Sequence, residues 1–218
     1  MPLIRDEHFP HFHFTTSKCE GDMKDEALRL EVLQNERINP ADLILAKQIH
    51  SNNIAIVSKE DGGKIIDNCD GLISVASDLF LGIFTADCMP IVMKSVLKSE
   101  MRSLKAAIHC GWRGLADGII ENAASILKKE FKTCLQDIDV YIAPHIQVCC
   151  YETSLEFEEI FKTKLDGGKF DMSKIAREKM LQLGFKNITV SPLCSKHRQD
   201  LCFSYRRDKS AARMLSII

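Results

Sequence analysis

Between Leu43 and Ala143 the chain is a succession of short apolar runs, each cut by turn-forming residues, with one segment of helical periodicity among them. Leu43 to Val57 reads as two strands separated by His50-Ser51-Asn52-Asn53, a tetrad suited to a turn. A Gly62-Gly63 turn leads to Asp70-Gly71. Further short strands are expected at Leu72 to Val75, Leu79 to Phe84, Ile91 to Met93, Lys105 to Ile108 and Val140 to Ala143. Gly111 to Gly114 reads as a turn, and Leu115 to Phe131 places Ile119, Ile120, Ala123, Ile126 and Leu127 on one helical face. Strands without regular strand–helix alternation favour an α+β fold over a doubly wound parallel sheet.

The flanks add a helix from Asp22 to Arg37, ending before Asn39-Pro40. Helices are also expected at 154–164 and 172–183, and strands at Ile188 to Val190 and Leu201 to Tyr205. Phe9 to Phe14 alternates aromatic residues with histidine at period two, the pattern of a half-buried strand. His11 and His13 would share its solvent-facing side, and no other ligand type lies close enough in sequence to suggest a metal. With no repeat, linker or low-complexity stretch, residues 1–218 are expected to form one domain.

A net charge of −1 offers no broad attraction for nucleic acid or an anionic membrane, and no apolar run is long enough to span one. The expected partner is therefore a small molecule. The opening Met-Pro-Leu-Ile-Arg-Asp-Glu-His lacks the apolar core of a secretory signal. Nine cysteines, an odd number without Cys-x-x-Cys spacing, read as thiols of a reducing, cytoplasmic setting, so any metal site must be assembled from distant segments.

The run Ala106-Ala107-Ile108-His109-Cys110-Gly111-Trp112-Arg113-Gly114 concentrates chemistry. Its glycines permit a tight turn or a close approach to a ligand, and Arg113 offers a planar fork for phosphate or carboxylate. His50, Cys88 and His109 each stand at an expected strand-to-turn junction, where scaffolds expose side chains into clefts. Two imidazoles and a thiolate suit zinc and leave a fourth tetrahedral position open. The same residues also suit a different chemistry, with Cys88 as nucleophile and His109 or His50 as its base. A zinc thiolate is quenched as a nucleophile, so the two readings compete.

Asp87 adjoins Cys88 but points the other way in an extended chain, which assigns it to scaffolding. Arg206 and Arg207, in Phe203-Ser204-Tyr205-Arg206-Arg207-Asp208, form with Arg213 a basic cluster that could take phosphate or simply pair with Asp208. Cys149-Cys150, adjacent and therefore poor joint ligands for one metal, read as packing. Dinucleotide-binding, phosphate-loop, metalloprotease, serine-hydrolase and zinc nucleobase deaminase signatures are missing.

Taken in order, Lys47-Gln48-Ile49-His50, Asp70-Gly71-Leu72, Thr85-Ala86-Asp87-Cys88-Met89-Pro90, His109 to Gly114, Cys149-Cys150-Tyr151-Glu152 and Phe203 to Asp208 resemble the laccase-domain family. This family is also called multicopper polyphenol oxidase or purine nucleoside phosphorylase-like, and it includes a peptidoglycan editing factor. The resemblance runs from about residue 40 to 214. Departures are the unrecognisable Ser-x-Asn-Leu between Phe14 and Asp22, Ala143-Pro144 for Gly-Pro, and Ala211-Ala212-Arg213 for Thr-Gly-Arg.

The resemblance implies one α+β domain of mixed sheets packed between helices, with His50, Cys88 and His109 as metal ligands. It implies zinc as the cofactor, with copper less favoured because the linked copper centres of a polyphenol oxidase need more histidines. The implied activities are phosphorolysis of adenosine, inosine or methylthioadenosine and deamination of adenosine. Catalysis falls on Cys88, His109 and Arg113, and phosphate binding on Arg113, Arg206 and Arg207. The competing functions are a Cys88-dependent hydrolase or editing enzyme acting on peptidoglycan precursors, a copper polyphenol oxidase, and a non-catalytic metal-binding protein.

Overall fold

Alternation of side chains along the strands sorts this chain into layers. The computed structural model describes residues 3–97 and 102–218. Its strands are β1 (Phe14–Thr15), β2 (Leu43–Ala46), β3 (Ile54–Ile56), β4 (Ile65–Ile66), β5 (Gly71–Ser74), β6 (Phe80–Thr85), β7 (Met89–Leu97), β8 (Arg102–Cys110), β9 (Asp139–Ile142), β10 (Asn187–Val190) and β11 (Met214–Ile217). They form two mixed sheets, ordered β1-β11-β6-β2-β4 and β10-β9-β7-β8-β5-β3. The helices are α1 (Glu26–Asn35), α2 (Trp112–Ala116), α3 (Ile119–Lys129), α4 (Glu156–Phe161), α5 (Met172–Leu183) and α6 (Tyr205–Asp208).

One face of β2 and β6, bearing Ile44, Ala46, Leu81 and Ile83, packs against Leu72, Val92, Ala107 and Tyr141 of the second sheet. Leu43 and Leu45 of β2, with Leu215 and Ile217 of β11, point the other way and pack on Val32 and Leu33 of α1. The outer face of the second sheet, through Ile91, Met93, Ala106, Ile108, Val140 and Ile142, covers Leu115, Ile119, Ala123, Leu127, Ala176 and Met180 on α2, α3 and α5. The layers therefore run helix, sheet, sheet, helix, an α+β architecture. Strands apolar on both faces result because each sheet is covered on both sides. No helix among the described residues is long and apolar enough to cross a membrane.

Several sequence expectations are corrected. The Phe9 to Phe14 segment bends instead of extending, and only Phe14–Thr15 is strand. His13 is buried, not solvent-facing: its Nε2 accepts from the Asp6 amide at 3.0 Å and its Nδ1 donates to the His11 carbonyl at 2.8 Å. Phe9 and Tyr141 pack edge-on against the His13 ring, which a strand of exposed histidines could not allow. Trp112 to Gly114 is the first turn of α2 and not a loop, and Gly118, at φ +85°, separates it from α3. Leu201 to Tyr205 is not a strand: Ser204 caps α6 by accepting from the Arg207 amide. β11 pairs with both β1 and β6, although its Met-Leu-Ser-Ile is too short to stand out by periodicity.

Pairing geometry decides where the chemistry falls. β2 and β6 are parallel and in register, Leu43 opposite Phe80 and Leu45 opposite Gly82, so their C-terminal ends coincide. β5 and β8 are antiparallel, with Gly71 opposite Ile108, which sets the entry to β5 beside the exit from β8. The segments carrying His50, Cys88, Asp70 and His109 consequently meet at one end of the two sheets.

Candidate active site and metal centre

Asp70 organises this end of the molecule. Its carboxylate is fully buried and accepts from the amides of Ile49, His50 and Ser51, from Ser51 Oγ, and from His109 Nδ1 at 2.7 Å. Buried charge is tolerated only when hydrogen-bonded in this way. Burial raises the Asp70 carboxyl, but hydrogen bonds from His109 and Ser51 outweigh it and hold the group at about 2. Three consecutive amides drawn to one carboxylate also sustain His50 at φ +63°, a left-handed conformation that costs a non-glycine residue energy.

Donation from Nδ1 to Asp70 fixes the His109 tautomer and leaves Nε2 facing the cleft. The His50 and His109 rings stand edge to face with centroids 4.8 Å apart, and Cys88 Sγ lies 4.0 Å from His50 Nε2. One donor atom each from His50, Cys88 and His109 falls within 4.8 Å of the others. Donors of a tetrahedral zinc site lie about 3.5 Å apart, so modest contraction closes the set around an ion. Gly111 makes the approach possible, because a Cβ there would sit 3.3 Å from both Cys88 Sγ and His50 Cδ2. At Gly114 a Cβ would sit 2.8 Å from the Ser51 carbonyl, so both glycines of the 109–114 run serve close packing of the His50 loop.

Protonation follows from the same contacts. Burial raises Cys88, yet hydrogen bonding with His109 and His50 outweighs it and brings the thiol down to about 6. Burial alone would lower His109, but hydrogen bonds with Asp70 and Cys88 push it up to about 9. Without a metal the pair is therefore thiolate and imidazolium at neutral pH, and a cation entering must displace that proton.

These residues form the inner wall of a cleft of about 800 Å³, within the size range of small-molecule sites. Lys24, Arg29, Lys47, Arg113, Arg206 and Arg213 line it against the two acidic groups Glu26 and Asp87, a cationic cleft in a chain of net charge −1. Arg113 stacks its guanidinium 4.6 Å from the Trp112 ring and forms no ion pair among the described residues. Arg206 lies 5.0 Å over the Tyr151 ring and donates one guanidinium bond to the Glu152 carbonyl at 2.8 Å.

Arg207 stands apart from its neighbour. Its guanidinium bonds the carbonyls of Ser195, Lys196 and Cys202 and pairs with Asp208, so it braces a loop and is absent from the cleft wall. Asp87, at φ +88°, is a scaffold: its carboxylate accepts from Ser195 Oγ at 2.6 Å and the Arg206 amide at 2.7 Å, tying the Cys88 turn to α6. Cys149-Cys150 lies outside the cleft; Cys150 is buried, but Cys149 is exposed and does not pack.

Sequence reasoning missed Asp70 as a site residue, although an acid entering an apolar strand at Asp70-Gly71 was a visible signal. It also missed Gln48, whose side-chain amide bonds both the N–H and C=O of Phe84 and aligns the His50 segment with β6. Nothing in its neighbours marked that role.

Comparison with known proteins agrees with the residue pattern. The chain is similar to a purine nucleoside phosphorylase of Clostridium acetobutylicum, 35% identical over 83% of this chain and 78% of the relative. A purine nucleoside phosphorylase of Aquifex aeolicus is 31% identical over 88% of this chain and 93% of its own length. The fold is similar to that of YlmD from Geobacillus stearothermophilus, with a TM-score of 0.87 at 24% identity over 99% and 94% of the two chains. YfiH of Bacillus licheniformis gives a TM-score of 0.81 at 25% identity, covering 88% of this chain and 79% of that one. Residues 14–218 match the family model described as multi-copper polyphenol oxidoreductase laccase, and the chain belongs to that family.

Proposed function

We propose that this chain is a zinc-dependent purine nucleoside enzyme that carries out phosphorolysis of adenosine, inosine or methylthioadenosine and deamination of adenosine. The observation that carries the reading is the meeting of a two-histidine, one-thiolate donor set and Arg113, stacked on Trp112, in one cationic cleft. Relatives named purine nucleoside phosphorylases support it. So does the cleft volume, which accommodates a nucleoside beside a phosphate.

His50, Cys88 and His109 would hold the zinc, which supplies Lewis acidity toward a substrate atom and makes a water molecule a stronger nucleophile. Asp70 holds His109 in the required tautomer, and Gly111 keeps the approach open. In phosphorolysis, Arg113 and Arg206 orient the phosphate against ribose C1′. The bond from C1′ to the purine nitrogen breaks as the phosphate oxygen bonds to C1′, leaving ribose 1-phosphate, or its 5-methylthio counterpart from methylthioadenosine, and a free base whose nitrogen takes the proton given up by hydrogen phosphate. In deamination, water replaces the 6-amino group, which departs as ammonia. Two imidazoles and one thiolate provide for a single ion, which favours this chemistry over the linked copper centres of polyphenol oxidation.

A second reading is favoured by one observation: Asp70, His109 and Cys88 are arranged as carboxylate, imidazole and activated thiol, the logic of a cysteine hydrolase. That enzyme would act on acyl or amide bonds such as those of peptidoglycan precursors. Incubation of the purified protein with adenosine and phosphate, followed by chromatography for adenine, inosine and hypoxanthine, separates the two. Turnover abolished by a chelator and restored by zinc supports the nucleoside enzyme. Absence of nucleoside turnover in zinc-loaded protein overturns it.

A further inference from the structure

Cys149, Cys150, Cys194 and His197 form a second cluster, outside the cleft, whose four donor atoms all lie within 4.8 Å of one another. Cys149 Sγ is 3.5 Å from His197 Nδ1. All three cysteines are free thiols.

Adjacent cysteines diverge in a strand, but here the chain turns. The amides of Cys150 and Tyr151 both donate to the Gln147 carbonyl, and this tight turn lets Cys149 and Cys150 face one point. The segment that brings Cys194 and His197 is pinned to the first by backbone contacts. His145 bridges to Cys194 in parallel fashion, the Ser195 amide donates to the His145 carbonyl at 2.9 Å, and Gln147 Nε2 donates to the Ser191 carbonyl at 2.8 Å. The cluster thus sits where two loops cross, and its donors are separate residues from those of the strand-end site.

Three sulfurs and one imidazole nitrogen are the donor set of a closed tetrahedral zinc site, with no position left for water or substrate. Cys150 and Cys194 are buried, while Cys149 and His197 are exposed and give an entering ion a path. We propose that Cys149, Cys150, Cys194 and His197 bind a second, structural zinc ion that clips the loop after β9 to the loop before α6. The first loop carries Tyr151 and the second leads into α6, whose Arg206 stacks on Tyr151 in the cleft wall, so the clip steadies one side of the cleft without touching the reacting atoms. This assignment is independent of the nucleoside reading.

Metal analysis of the full chain, purified with reductant and equilibrated with zinc, tests it. Two zinc ions per chain are expected in the wild type, one in His50→Ala, one in Cys149→Ser/His197→Ala, and none when these changes are combined. Cobalt-loaded His50→Ala should show the intense near-ultraviolet charge-transfer bands of several thiolates, and these should vanish in the combined variant. In the His50→Ala background, chelation should lower Tm by about 5 °C or more, an effect absent once Cys149 and His197 are replaced. Cys149 and His197 are exposed, so their replacement is not expected to unfold the chain, and circular dichroism checks this. A stoichiometry of one that falls to zero in His50→Ala overturns the proposal. So does a disulfide within the cluster, found by mass spectrometry of protein kept reduced and alkylated during purification.

Discussion

The two donor clusters are built in opposite ways. His50, Cys88 and His109 are set by strand register and by the buried Asp70 carboxylate, which accepts five hydrogen bonds around them. Cys149, Cys150, Cys194 and His197 lie on two crossing loops pinned by backbone contacts, and none of the four donates a hydrogen bond to a carboxylate among the described residues. The first set has three donors and opens into a cleft; the second has four and is closed. A site that must exchange ligands needs its residues held by the fold, because the open position cannot hold them. In a site that only joins segments, the ion itself can be the organising contact.

The sharpest way to break this comparison is His109→Ala. Loss of one of three donors should remove metal from the strand-end site and lower nucleoside turnover at least about 1,000-fold, with the circular dichroism spectrum unchanged. Retention of turnover would show that the strand-end cluster is not the working site. Asp70→Asn should follow, lowering zinc affinity of that site by about 10- to 100-fold in competition titrations while the loop cluster keeps its ion. Equal weakening of both sites would mean that Asp70 acts through general stability instead.

Arg113→Ala should raise KM for phosphate about tenfold with a smaller change in kcat, the loss of a charge-assisted bond. Arg207→Ala should leave that KM unchanged and lower Tm, because its guanidinium is used by the carbonyls of Ser195, Lys196 and Cys202. The smallest effect is a displaced titration. In chelated protein, iodoacetamide modification of Cys88 should rise with pH around a midpoint near 6, far below the ordinary thiol value of 9.0. The sign follows from the partner: His109 is protonated up to about 9 and favours the thiolate, so the pair stays charged between those two values. Zinc should protect Cys88 across the whole range, and the Asp70→Asn variant, which loses the carboxylate holding His109 protonated, should shift the midpoint upward.

Much of this was legible in order along the chain. Turn-punctuated apolar runs locate β2, β3, β5, β6, β8 and β9, and the helical face of Ile119, Ile120, Ala123 and Leu127 locates α3. His50, Cys88 and His109 each stood at an expected strand end, but residue type and position left a zinc site and a cysteine nucleophile both open, and only the family resemblance pointed to them as one ligand set. Misreadings share a cause. Phe9 to Phe14 alternates like a strand, yet packing of His13 between Phe9 and Tyr141 overrides the local pattern. Cys149 and Cys150 read as packing residues and, being adjacent, as poor joint ligands; Cys149 is instead exposed, and the hydrogen-bonded turn at Gln147 brings both thiols to one point.

Arg206 and Arg207 show the limit most plainly. Identical neighbours in sequence, one turns into the cleft over Tyr151 and the other into carbonyls of its own loop, since successive residues of the short α6 point in different directions. The sequence by itself determined which residue types are available for metal and anion chemistry and where most of the strands between Leu43 and Ala143 lie, because hydrophobic periodicity and turn propensity are local. Only the tertiary structure decided that β2 and β6 end together and that β5 starts where β8 ends. The same long-range pairing buries Asp70 among four partners it meets nowhere in the linear chain: Ile49, His50, Ser51 and His109. Pairing between segments distant along the chain depends on packing both faces of two sheets at once, and no local window of residues encodes that.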